Sequence, residues 1–429
     1  MSAPVSSDFR RIPTRGPRGG CRRCRRPHRG LWTFLRGGGR VACVAVVCLG
    51  FAGGVAAEIN DDEVQEGFVE LFDGQSLLGW QTVRAGGWAA QEGVLTGSQG
   101  TDWIHTGGVF DDFTLRLEVR IADGQGSANI WFRTADGRGK SRPAEGHRVS
   151  LATSAQGPAL VLAGGGSHPL AGSALKPIGE WNQCEIHCRG SRVEVALNGN
   201  RVASNEAGGP AAGLLGLEVT GGEAEFRNLR IREEGGRPLL ADGGLSGWQV
   251  VGSGETIWSR TEEGYLACSG ERGGWISTID RFDNFTLSLG YLLEPGGNSG
   301  VYVRAPHEGH ISRLGMEIQV LDDGAEKYAN LKPYQYTGSI YAVVPPARRL
   351  TRPAGQWNRL QIQCSDRQVS TWVNGRLVVS ADLDALEELA GRPRKGYLGF
   401  QNHNSRILYR NVVLKTPPQG RGGLEAAGR

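Results

Sequence analysis

Short apolar runs that alternate with polar residues at a period of two, broken by Gly-rich or Asn-Gly turns, recur from Leu71 to Leu414. In VALNGNRV, Val195 and Leu197 fall on one face of a strand, Asn198-Gly199 supplies the two positive φ angles of a tight hairpin, and a second strand follows. Repeated along the chain, this pattern predicts antiparallel strands that bury one face each and stack as two sheets. Only the stretch around Leu383 to Leu389 reads as a helical turn. The 67 glycines among 429 residues agree with an all-β protein rich in tight turns.

The landmarks come twice, in the same order. LFDGQSLLGWQ (Leu71 to Gln81) answers LLADGGLSGWQ (Leu239 to Gln249), and WIHTGGVFDDFTLRLEV (Trp103 to Val119) answers WISTIDRFDNFTLSLGY (Trp275 to Tyr291). ANIWFR ending at Arg133 matches SGVYVR ending at Arg304, GEWNQCEIHC matches GQWNRLQIQC, and EFRNLRI matches YRNVVL. Each repeat therefore predicts one two-sheet sandwich, over residues 67–233 and 238–416, with Glu233 to Arg237 as a short linker that keeps them close and 417–429 as a flexible tail. The recurring pairs Trp80/Trp248, Trp103/Trp275 and Trp181/Trp357 read mainly as core.

Residues 1–57 differ in kind. An Arg-, Gly- and Pro-rich leader runs into VACVAVVCLGFAGGVAA (Val41 to Ala57), uncharged and ending in small residues. The run sits at the short end of the ~17–25 residues that a membrane span needs, so it reads as a signal segment cleaved after Ala57. A secreted or periplasmic protein with no stable membrane span would result; left uncleaved, residues 41–57 would anchor the chain. The leader holds eleven Arg against Asp8, a net of +10, so the overall +4 becomes −6 without it. Such a mildly acidic chain lacks the Lys and Arg clusters that nucleic-acid binding requires. Of the cysteines beyond the leader, Cys184 and Cys188 lie too far apart along one strand to bridge, at ~3.3 Å per residue. Cys188 and Cys364 match between repeats and read as small core residues.

NSGVYVR, GMEIQVLDD, TGSIY, PAGQWN, WVNG and GFQNH…YRNV, occurring together and in order over residues 238–416, resemble the 3-keto-disaccharide hydrolase family. The resemblance implies two tandem concanavalin A-like jelly-roll sandwiches and action on sugars whose carbon 3 is a ketone. Residues 67–233 keep the framework and lose several polar motifs, which makes them a degenerate copy.

Strand alternation assigns faces in the second repeat. Val301 and Val303 oppose Tyr302 and Arg304; Met316, Ile318 and Val320 oppose Glu317 and Gln319; Leu398 and Phe400 oppose Gly399, Gln401 and His403. Polar positions of this kind are ordinarily just solvent-facing. The first repeat, however, has Arg148, Ser150, Glu218 and Thr220 where the second has Glu317, Gln319, Gln401 and His403, so the fold does not require them. One carboxylate on the Glu317 strand is too few for an ordinary glycosidase, which uses two. A 3-keto sugar needs one base for the proton on carbon 2, a stabiliser for the enolate and anchors for the hydroxyls. His403 and Glu317 are the acid/base candidates, Arg304 the oxyanion or hydroxyl partner, and Gln319, Asp322, Gln401 and Tyr341 the substrate contacts. All are expected on an exposed face, where replacement leaves stability nearly unchanged. No cofactor is indicated and no metal site is assigned, although Asp322-Asp323 offers ligands for calcium or another divalent ion. The expected partner is a small carbohydrate; the oligomeric state is left open. The competing reading is a lectin-like, non-catalytic secreted protein with the same fold.

Overall fold

The computed structural model describes residues 58–417 apart from 83, 85, 123–125, 136–138, 144, 154–156, 165, 171–174, 242 and 253–256. The expected leader, signal segment and most of the expected tail lie outside the described residues. Among those described, no helix is long and apolar enough to cross a membrane.

Two antiparallel sandwiches follow one another, as the repeat predicts. In the first, an eight-stranded sheet centred on Phe113–Ile121 and Glu223–Glu233 faces a seven-stranded sheet centred on Ser127–Thr134 and Leu214–Gly221. In the second, an eight-stranded sheet centred on Phe285–Leu293 and Ile407–Lys415 faces a five-stranded sheet. The five run in the spatial order Trp248–Val251, Trp275–Phe282, Gly396–Phe400, Asn298–Ala305 and Met316–Leu321. The alternation closes each core: Leu115, Leu117, Ile130, Phe132, Ile186 and Phe226 fill the first, and Leu287, Leu289, Val301, Val303, Ile318 and Phe400 the second. Burying each such side chain stabilises the fold by ~1.5–3 kcal/mol. Both Asn-Gly hairpins form as the sequence predicts, with φ of 49° and 83° at Asn198-Gly199 and 49° and 79° at Asn374-Gly375. The expected helical turn is present as Leu383–Ala385 and Glu387–Ala390.

Four cysteines, Cys184, Cys188, Cys268 and Cys364, are free and buried. Trp80 and Trp248 sit in the cores, but Trp181 and Trp357 are only half-buried and carry stacked guanidinium groups, Arg227 at 4.1 Å and Arg410 at 4.0 Å. They are surface cation–π platforms and not core residues.

The sandwiches are packed together. Trp372 and Leu377, on strands of the second, belong to the apolar core of the first, and Trp372 Nε1 donates to the Glu70 carbonyl at 2.7 Å. Gln361, Gln363 and Gln368, on the outer face of the second sandwich's larger sheet, are buried. Gln368 accepts from Gln81 Nε2 at 3.1 Å, and Glu233 accepts from Thr286 Oγ1 at 2.7 Å. Ahead of the first sandwich, the helix Asp61–Glu66 is closed by a reciprocal cap between Asn60 and Glu63. Arg359 Nη1, from the second sandwich, donates to the Val64 carbonyl of that helix at 2.8 Å. The larger sheet therefore meets the first sandwich, and the five-stranded sheet lies on the opposite side of the second core.

Candidate functional site

Register fixes the site on the outer face of the five-stranded sheet. Tyr302 pairs with Glu317 on one side and with Gly399 on the other, Gly300 pairs with Gln319, and Gly399 pairs with Ser277. Since Val301, Ile318, Phe400 and Ile276 point into the core, all of these pairs face outward together. The segment 338–341 zips onto the free edge: Gly338 N donates to Gln319 O at 2.9 Å and Tyr341 N to Glu317 O at 2.8 Å. Ile340 is in the core, which sets Tyr341 on the face of Glu317.

Glu317 is only 4% exposed, contrary to the expectation of an exposed position. Burial pushes its carboxyl up to about 7, against the pull of a hydrogen bond from Gln401. Gln401 Nε2 donates to the Tyr302 hydroxyl at 2.9 Å, and Gln319 Nε2 donates to Asn298 Oδ1 at 3.0 Å. Burial, with Glu317 alongside, raises the Tyr302 phenol, so it stays a protonated donor. Two buried groups with no hydrogen-bond partner among the described residues complete the face, Gln401 Oε1 and Ser339 Oγ. Gly300 makes room: a Cβ there would stand 2.5 Å from Glu317 Oε1.

Beside this polar set lies an aromatic one that the sequence reading missed. Trp275, expected in the core, instead packs with Tyr302 on the outer face at a centroid distance of 5.1 Å, over Gly399. Alternation held the signal, since Ile276 inward puts Trp275 and Ser277 outward. His307 stacks on Tyr397 at 3.6 Å and bonds Ser277 Oγ through Nε2 at 2.9 Å. Burial, then Arg281, lowers its pKa. It lies on a loop, where period-two reasoning has no purchase.

The structure thus gathers Glu317, Gln319, Gln401 and Tyr341 on one face. Arg304 is not among them. It is fully buried, donating through Nε to Asp283 O at 2.8 Å, through Nη1 to Asp366 O at 2.7 Å and through Nη2 to Asn284 Oδ1 at 3.4 Å. Its φ of 50° and the register shift between Tyr302 and Ala305 break the alternation and turn the side chain toward the opposite sheet. Asp322 is engaged elsewhere as well, its Oδ2 accepting from Gly296 N at 2.7 Å to hold a turn. His403 is exposed, beyond the end of the strand at Phe400, with no hydrogen bond to Glu317 among the described residues. Nor do three His, Cys, Asp or Glu side chains converge as metal ligands among the described residues.

The 3-keto-alpha-glucoside-1,2-lyase-like domain family matches the chain over residues 67–232 and again over 236–415. A 3-keto-disaccharide hydrolase from Bacteroides thetaiotaomicron is 21% identical over 277 residues, 53% of this chain and 96% of that protein. Among solved structures, a Parabacteroides distasonis protein named as a glycosyl hydrolase is 27% identical and covers 43% of this chain and 100% of its own, with a TM-score of 0.39. A carbohydrate-binding module from Bacillus subtilis is 19% identical over 36% of this chain and 96% of its own, with a TM-score of 0.28.

Proposed function

We propose, since this chain belongs to the 3-keto-alpha-glucoside-1,2-lyase-like domain family, that its second sandwich cleaves 3-keto-glycosides by proton abstraction and elimination. The observation that carries the reading is Glu317: a buried carboxyl pushed up to about 7, on the one face where Tyr302, Gln401, Gln319 and Tyr341 also converge. A base with a pKa near the working pH combines a useful ionised fraction with real proton affinity.

In the proposed sequence, Glu317 takes the proton from carbon 2, and the freed electron pair forms the enolate with the ketone on carbon 3. The protonated Tyr302 hydroxyl donates to that oxyanion. Collapse of the enolate restores the ketone, forms the double bond between carbons 1 and 2, and expels the group on carbon 1, which takes a proton. His403, two residues beyond Gln401 on the exposed loop, is the candidate donor of that proton. Water then adds across the double bond, and the net change is hydrolysis. Gln319, Gln401 and Tyr341 anchor hydroxyls. Export with cleavage after Ala57 belongs to the same proposal; N-terminal sequencing of secreted protein should begin at Glu58.

Incubating the chain with a 3-keto-glucoside should release sugar, while the unoxidised glucoside, whose carbon-2 proton is not acidified, should stay intact. Equal cleavage of both would overturn the mechanism. The value of kcat/KM should rise with pH as Glu317 ionises near 7, because the ionised carboxylate is the base, and fall again at higher pH as the proton donor to the leaving group is lost; a profile with no rising limb would argue against Glu317. Gly300→Ala drives a Cβ to 2.5 Å from Glu317 Oε1 and shifts the carboxylate. The rate should drop about 10- to 100-fold, the scale of a misplacement near 1 Å.

A further inference from the structure

The rows of the fold that carry Glu317, Tyr302 and Gln401 carry Arg148, Trp131 and Glu218 in the first sandwich. Trp131 pairs with Arg148 and Gly216 as Tyr302 pairs with Glu317 and Gly399. Asn129 stands where the second sandwich has Gly300, and Ser150 where it has Gln319. These side chains line a groove of about 570 Å³, within the range usual for small-molecule sites.

Its floor is built. The Glu218 carboxylate, 6% exposed, accepts from Trp131 Nε1 at 2.9 Å and pairs with Arg142 at 3.4 Å. The Arg148 guanidinium lies 4.8 Å from the centre of the Trp131 ring and has no carboxylate partner among the described residues. Burial of a carboxylate must be met by partners, and here Trp131 and Arg142 supply them from the lining of the groove itself. A sugar hydroxyl both donates and accepts. Here a carboxylate with unused lone pairs, the Asn129 amide, the Ser150 hydroxyl and a guanidinium stand side by side and offer both roles. Glu218 and Arg142 offset one another, so hydroxyl partners of both kinds stand beside the single remaining cation of Arg148. Proton abstraction is out of reach, because an arginine, which keeps its proton, occupies the place of Glu317.

We infer that this groove is a second site, which binds a neutral saccharide without cleaving it. The test is calorimetric titration of the full chain with trehalose, sucrose, maltose and cellobiose, with a glucuronate-containing disaccharide as the anionic control. At least one neutral sugar should bind. Arg148→Met and Glu218→Gln should each weaken that binding about 10- to 100-fold, the scale of losing a hydrogen bond to a charged group. Both variants should cleave a 3-keto-glucoside at the rate of the unaltered chain, which separates this site from the proposed catalytic one. Arg148 is half-buried, so its variant keeps the fold even if Glu218→Gln does not. Binding that survives Arg148→Met, a preference for the glucuronate sugar, or no heat from any of the neutral sugars near their solubility limits would overturn the inference.

Discussion

Glu317→Gln should lose most turnover of a 3-keto-glycoside, about 10²–10⁴-fold, the usual contribution of a positioned acid/base group, and should at the same time make the protein more stable at alkaline pH. The two effects share a cause. The folded-state pKa is raised from 4.5 to about 7, so the folded protein holds its proton more tightly than the unfolded chain. Stability from this group is fully present below pH ~4.5 and is lost as pH rises through ~7, by up to about 3 kcal/mol. A neutral amide escapes that loss. Thermal melts of the two proteins should therefore diverge above pH 7 in favour of the variant and draw together near pH 4. Full activity in Glu317→Gln would remove the site; equal melting temperatures at pH 8 would show that the carboxyl is not strained by burial.

Arg304→Met should unfold the second sandwich more readily, by about 3–5 kcal/mol, because three hydrogen bonds from a buried charged donor are lost at ~1–3 kcal/mol each. The melting temperature should fall by roughly 10 °C. Arg133→Met should do the same to the first sandwich, where Arg133 donates to Asp111 O at 2.8 Å and Gly190 O at 2.7 Å and pairs with Asp112 at 2.9 Å. The paired outcome separates two roles. A catalytic arginine at 304 would leave a stable, inactive protein, and its counterpart at 133 would be indifferent to replacement.

That pairing also shows what sequence reasoning could reach. Glu317, Gln319 and Tyr302 were legible because each sits on a strand where period two is enforced by a core on the other face, and Gln401, one residue past Phe400, keeps the phase because its N–H still donates to Gly300 O at 2.8 Å. Arg304 was not, since a left-handed residue, φ 50°, shifts the phase without any glycine to announce it. Its persistence as Arg133 in the copy without the acid was the better signal, and it pointed to the fold. His403 was counted in phase past the end of its strand. Gln361, Gln363 and Gln368 mark another limit of the rule, since the outward face they share is buried against the first sandwich instead of meeting water. The helix Asp61–Glu66 was overlooked although Asn60 and Glu63 spell its cap.

The two contacts of Trp372, with the interior of the first sandwich and with the Glu70 carbonyl, tie the copies to one another. A domain joined to its neighbour by a bare tether can be removed without uncovering that neighbour. Here the interior of the first copy is completed by an indole from the second, so deleting the first would expose Trp372 and Leu377 to water. The first copy is thereby needed to cover the second, whatever its own groove does.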